Sequence, residues 1–350
     1  MSWLVKIMKT GRAVTATAMV VAMSGAASAQ IFTGNGDGNS FEDPENYGLL
    51  PTDSIPSVVE INSPVTVIRD VDISIDITRV NGGGVLFVTS GNHLDGLTGR
   101  NTRNLIGTSG DGTVNQLGGN YEIGHQLLIG DGAGNTGQYN LSGGFLNISR
   151  QGVSNLGSEA RSSLELGTRG DETTAALFKV SGSSRLTTRS GVTVGAEGIF
   201  EVVGSRISEI GIGSNGTLDG GWIQQTGSVL RAGIDEAGIT PIFIDAIDGL
   251  GVGGGNVTFD AGSILDPYDL GGAPIDDWTT VITWDGELFD SGLALSSTAS
   301  AAGWEKRVEG NSLQVRLSAV PEPTSWAVLA LSGIFLIGHR VRYTNRISPR

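Results

Sequence analysis

Side chains able to do acid–base, nucleophilic or metal chemistry are few in this chain and widely spaced. It has no cysteine and three histidines in 350 residues. His93 and His125 stand alone and His339 lies near the C-terminus, so no pair has the ligand spacing of a zinc site. No Gly-x-Ser-x-Gly elbow offers an activated serine. The densest mixed cluster is Arg161, Glu165, Arg169, Asp171 and Glu172. Cleavage of a polysaccharide needs carboxylates converging with a basic group on one face, and Glu165 with Asp171 would be the pair to carry it. The cluster falls in a stretch that interrupts the repeats described below, where a solvated surface is the plainer reading. The chain therefore reads as a non-enzyme without catalytic residues. A polysaccharide-active lyase or hydrolase is the alternative.

Gly-Asp-Gly occurs three times, at Gly36-Asp37-Gly38, Gly110-Asp111-Gly112 and Gly130-Asp131-Gly132. A carboxylate beside turn carbonyls suits a hard cation. Calcium-binding solenoids, however, use such turns in tandem nonapeptides, and these copies lie 74 and 20 residues apart. Asp37 also lacks the glutamate that closes an EF-hand loop at its twelfth position. Ordinary Asp-Gly turns are expected, with no cofactor and no metal ligands. A calcium-stabilised adhesin is the further alternative.

Charge narrows the partners. All 36 acidic residues follow Ala29, whereas three basic residues precede it and four arginines lie in the last eleven positions. The part between holds 15 basic residues, for a net charge near −21. Such a surface repels nucleic acid and anionic lipid. It favours solubility outside the cell.

The elements that would position any site are strands. Glycine makes up 55 of 350 residues, about twice the usual share. Interior glycines oppose helix at about 1 kcal/mol each, and apolar alternation opposes disorder. A short strand followed by a glycine corner returns as Val114-Asn115-Gln116-Leu117-Gly118-Gly119, Tyr139-Asn140-Leu141-Ser142-Gly143-Gly144, Phe178-Lys179-Val180-Ser181-Gly182-Ser183 and Phe200-Glu201-Val202-Val203-Gly204-Ser205. A second phrase, apolar-x-apolar-Gly, appears at Leu128-Ile129-Gly130, Leu164-Glu165-Leu166-Gly167, Val192-Thr193-Val194-Gly195 and Ile210-Gly211-Ile212-Gly213. Matched corner glycines fall 25, 39 and 22 residues apart, with an insertion around Arg150–Arg161 in the long interval. Periods of this size describe coils that bury their inward residues only by stacking. An all-β, right-handed parallel β-helix or β-solenoid is expected, with a β-sandwich as the alternative.

The repeat fades after Gly255, and residues 256–318 read as a β-rich cap over the last coil. Trp278, Trp284 and Trp304 would form its core, or alternatively line a sugar-binding face.

Both ends carry addresses. Lys6, Lys9 and Arg12 precede an apolar stretch to Met23, and Ala27-Ser28-Ala29 supplies small residues for cleavage after Ala29. That order is a secretory signal peptide. At the other end Pro321-Glu322-Pro323 is followed by the apolar run Trp326 to Ile337 and then Arg340, Arg342, Arg346 and Arg350. Its 12 residues would span roughly 18 Å as a helix, against about 30 Å for a bilayer core. The arginines hold that end in the cytoplasm. The expected organisation is a signal peptide over 1–29, a solenoid body over 30–255, a cap over 256–318 and a tail with a short membrane helix over 319–350.

The order of Pro321, Glu322 and Pro323, Trp326, the apolar run and the arginines resembles the PEP-CTERM sorting domain of Gram-negative bacteria. The resemblance covers about 30 residues. It implies recognition by an exosortase, a membrane-embedded transpeptidase-like protease, with Glu322 a residue of the substrate and not of a catalyst. It implies delivery of the body to the cell surface or the exopolysaccharide matrix from a membrane-anchored precursor. This tail is longer than usual and carries Tyr343-Thr344-Asn345 among its arginines. The segment from Thr33 through Gly36-Asp37-Gly38, Phe41, Asp43-Pro44, Asn46 and Tyr47 resembles the opening of planctomycete-type secreted β-helix proteins with autotransporter-like repeats, with Phe41 and Tyr47 where those carry Trp. That likeness implies fold and export, not an activity.

Overall fold

The computed structural model describes residues 30–31, 58–96, 103–124, 126–132, 134–148, 163–168, 175–214, 221–246 and 255–319. The leader with Ala27 and Ala29, the opening segment, the Arg150–Arg161 insertion and the tail from Pro321 to Arg350 lie outside them.

Alternating apolar residues make short strands, and the strands stack in parallel on three faces. The first face runs from Gln30–Ile31 through Val58–Ile61, Ile77–Val80, Arg103–Ile106, Gln126–Ile129, Leu164–Leu166, Val192–Val194, Gly221–Gln224 and Asn256–Phe259 to Leu288–Asp290, in strict chain order. Between consecutive members of that sheet the chain passes through the second face and then the third. One circuit takes 19 residues from Val58 to Ile77 and 37 from Leu127 to Leu164. This is an all-β fold of long parallel sheets wound as a solenoid.

Register turns the sequence pattern into a core. Val114, Tyr139, Phe178, Phe200, Leu230 and Leu265 sit one above another on the second face. Leu127, Leu164, Val192, Trp222 and Val257 do so on the first. All point inward and are almost fully buried. Tyr139 stacks on Phe178 and Phe178 on Phe200, both at 5.3 Å between ring centres, and Trp222 meets Phe200 edge-on at 5.1 Å. Rungs spaced about 4.8 Å apart impose such stacking on any aromatic repeated at one register position.

The glycine corners align as the repeats imply. Gly143 and Gly144 lie over Leu117, Gly118 and Gly119, and Gly182 lies over Ser142. Gly144 has φ +74°, and a Cβ there would stand 2.2 Å from the Gly119 carbonyl oxygen. The second phrase aligns in three of its four copies. Ile210-Gly211-Ile212-Gly213 belongs to the third face, beside Arg185 to Thr188. Its expected place on the first face is taken by Trp222 to Gln224. Each face has the same inward alternation, so the phrase alone does not say which face it joins.

Parallel pairing continues beyond residue 255. Asn256–Phe259 adds to Gly221–Gln224, and Ile264–Asp269 adds to Val229–Ile234. The repeat fades in sequence there because the corner glycines change, not because the coil stops. Pairing turns antiparallel at Ser312–Leu317, which joins Thr279–Trp284 and then Trp304–Glu309. A short helix, Ser297–Ala301, packs beside this hairpin and is capped by the Ser296 hydroxyl accepting from the Ala299 N–H. Trp284 and Trp304 are buried. Trp278 is half-exposed and lies against the guanidinium groups of Arg307 and Arg316, at 4.2 and 4.6 Å. No helix among the described residues is long and apolar enough to cross a membrane.

Candidate functional site

Two constellations stand out, one inside the solenoid and one on its outer surface. The first is a polar cluster in the lumen of the early coils. Val67-Ile68-Arg69 and His93-Leu94-Asp95 keep the strand alternation, so Arg69 and Asp95 point inward where neighbouring coils carry Val88 and Ile123. Both are fully buried, and an Arg69 terminal nitrogen donates to Asp95 Oδ1 at 3.1 Å. Asp95 Oδ2 accepts from Thr78 Oγ1 at 2.6 Å, Tyr121 hydroxyl at 2.6 Å and Asn104 Nδ2 at 2.8 Å. Burial opposes the charge on Arg69, but Asp95 and Tyr121 outweigh it and hold the guanidinium above its usual value. Burial pushes the Tyr121 hydroxyl up, and the Asp95 charge pushes it further, so it stays a donor.

His93 borders this cluster. Burial lowers it to about 4, and the Arg69 charge acts in the same direction. Its Nε2 sits 2.6 Å from the Ser90 carbonyl oxygen, which makes Nε2 the protonated nitrogen. The cluster draws on all three faces, so it ties their registers together. It is closed to solvent and reads as a structural pin.

The second constellation is a groove of about 590 Å³ on the second face near the C-terminal end. Outward register positions there carry Lys179, Glu201, Arg231 and Asp266 on successive rungs, alternating in sign. Lys179 Nζ lies 3.4 Å from Glu201 Oε2, and Arg231 Nε donates to Asp266 Oδ2 at 3.1 Å. Tyr268 leans back across Gly233 to donate its hydroxyl to Glu201 Oε1 at 2.9 Å. A Cβ on Gly233 would meet that hydroxyl at 2.7 Å, so the glycine clears the path. Burial, then the bond to Glu201 and its charge, raises the tyrosine pKa. The opposite wall is Thr298, Ala299 and Ala302 around the short helix, with Trp304 and Leu317 from the hairpin.

The site residues expected from sequence fare unevenly. Glu165 is buried on the first face, where it accepts from Gln126 Nε2 at 2.5 Å and Thr168 Oγ1 at 3.0 Å. Its suggested partners Arg161, Arg169, Asp171 and Glu172 lie outside the described residues, as do Pro321, Glu322, Pro323, Arg340, Arg342, Arg346 and His125. Asp111 of the second Gly-Asp-Gly accepts the Thr136 N–H at 2.7 Å, and its own carbonyl accepts from Gly83. That is a corner staple between coils. Among the described residues no three His, Cys, Asp or Glu side chains gather as metal ligands.

Neither constellation was found by motif. The lumen cluster had a signal, since Arg69 and Asp95 are charges at the apolar phase of alternating strands. The groove had a fainter one in the alternating signs of register-matched outward positions, visible only once the coils are aligned. Searches against protein-family models, curated proteins and solved structures return no match.

Proposed function

We propose that this chain is an exported cell-surface or extracellular-matrix protein of a Gram-negative-type bacterium that acts by binding, with extracellular polysaccharide as its partner. Its right-handed solenoid body is released to the surface from a precursor held in the membrane by the C-terminal helix. An exosortase-type protease reads Pro321-Glu322-Pro323 during sorting. The observation that carries the binding half of this reading is the outer surface of the coils. It bears rows of polar side chains that already satisfy one another, such as Asn115 with Asn140 at 2.9 Å, and a single face of such rows opens into a groove. Long faces of this kind offer repeated, shallow hydrogen-bonding sites suited to a repeating polymer. Secretion and sorting rest on the two terminal signals.

Intact-mass measurement of the protein recovered from the surface and medium of its native host tests the sorting half. The expected species begins near Gln30 and ends close to Pro321–Pro323. A membrane-bound species that retains Arg350 would remove the exosortase step. Co-sedimentation of that material with the host's own exopolysaccharide tests the binding half, and protein left wholly in the supernatant would refute it.

A further inference from the structure

The groove beside Arg231 has features that its structural role does not use. Arg231 spends only Nε on Asp266, and its terminal nitrogens make no hydrogen bond to protein among the described residues. The side chain is 37% exposed, so these donors are held in place by the ion pair and face the opening. Tyr268 donates to Glu201 and keeps its oxygen lone pairs for a further donor. Facing them across the groove are the apolar Ala302, Trp304 and Leu317. A volume of 590 Å³ falls within the range of about 300–1,000 Å³ usual for small-molecule sites.

We infer that this groove binds a short segment of a neutral, hydroxyl-rich glycan, an inference that rests on the polysaccharide reading above and assigns it a site. Sugars present apolar C–H faces and hydroxyl edges together, which matches an apolar wall opposite fixed polar groups. The charge balance selects the neutral class. Glu201 and Asp266 are each matched by a cation, while Asp269 is occupied by the backbone N–H groups of Gly271 and Ala273. A polyuronate would meet three carboxylates against one arginine in the groove, on a body already strongly acidic. A polycationic amino sugar would have to displace Arg231 from Asp266.

The test is titration calorimetry on the purified full chain with neutral hexasaccharides, oligogalacturonate and chitosan oligosaccharide. Neutral oligosaccharides are expected to bind. Arg231→Gln should weaken them about tenfold or more, and Tyr268→Phe about fivefold. Thr298→Trp, which projects from the exposed side of the short helix into the opening and removes no pair, should abolish binding. Thermal melts identify any variant that has lost its fold, and Thr298→Trp keeps the test decisive if Arg231→Gln does so. Neutral binding that survives all three substitutions would overturn the groove assignment and leave the polysaccharide reading standing. Tighter binding of either charged oligosaccharide would overturn the neutral class. Failure of the full chain to bind any sugar, together with failure to sediment with host exopolysaccharide, would remove the reading beneath it.

Discussion

Replacing Asp95 by Asn tests whether the lumen cluster holds the early coils together. The change is nearly isosteric but removes the charge that faces Arg69 at 3.1 Å, where both side chains are fully buried. It also turns an acceptor of four donors into a group that must donate on one side. Thr78, Asn104 and Tyr121, all buried, then compete for a single oxygen. Breaking a buried pair from one side costs about 3–5 kcal/mol, because the remaining charge is left without compensation. Removing both charges, as in Asp95→Asn with Arg69→Met, should recover about 2 kcal/mol or more of that loss, although the three neutral donors stay imperfectly matched. Urea unfolding of the four proteins of the double-mutant cycle gives the coupling. A solenoid can open locally, so hydrogen exchange should be followed alongside. Amides of Arg103–Ile106 and Asn120–Ile123 should lose protection in Asp95→Asn while those of Trp304–Glu309 keep it. A cost below about 1 kcal/mol, or additive single changes, would refute the pin.

Two further outcomes follow from geometry. His93 is lowered to about 4 by burial and by Arg69, with Asp95 and Asp72 acting against them, whereas an unfolded histidine titrates near 6.5. Between those values the unfolded chain binds more protons, so stability falls as pH drops from about 6.5 toward 4, by about 3 kcal/mol in all. His93→Gln should flatten that part of the stability–pH curve relative to wild type, and an unchanged slope would discount the histidine. Gly144→Ala and Gly310→Ala both place Ala at positive φ, but only the first drives Cβ into the carbonyl of the coil below, since nothing lies within 4 Å of Gly310. Thermal and urea melts should show a loss of about 1–2 kcal/mol for Gly310→Ala, and a clearly larger one for Gly144→Ala.

Strand content, stacking and the corner glycines are legible in the chain because they are local. A period-2 alternation and a glycine at each bend recur within one coil, and the glycine that follows each copy is enough to match Val114, Tyr139, Phe178 and Phe200 to one another. Coil register is not legible in the same way. Circuits vary from 19 to 37 residues, so the phrase around Ile210 matches the first face in sequence and joins the third in space. The fading repeat after Gly255 likewise hides coils whose corners are built differently.

The sequence by itself determined that this protein is built of short strands and glycine corners, that its body is strongly acidic, and that it carries neither cysteine chemistry nor paired histidines. These are properties of composition and near-neighbour spacing. Only the tertiary structure decided that Arg69, Thr78, Asp95, Asn104 and Tyr121 meet in one buried cluster, and that Glu201, Arg231, Tyr268 and Trp304 surround one groove. In a solenoid, contact partners lie one or more circuits apart. Every insertion in a circuit changes that distance along the chain while leaving the rung spacing of about 4.8 Å unchanged.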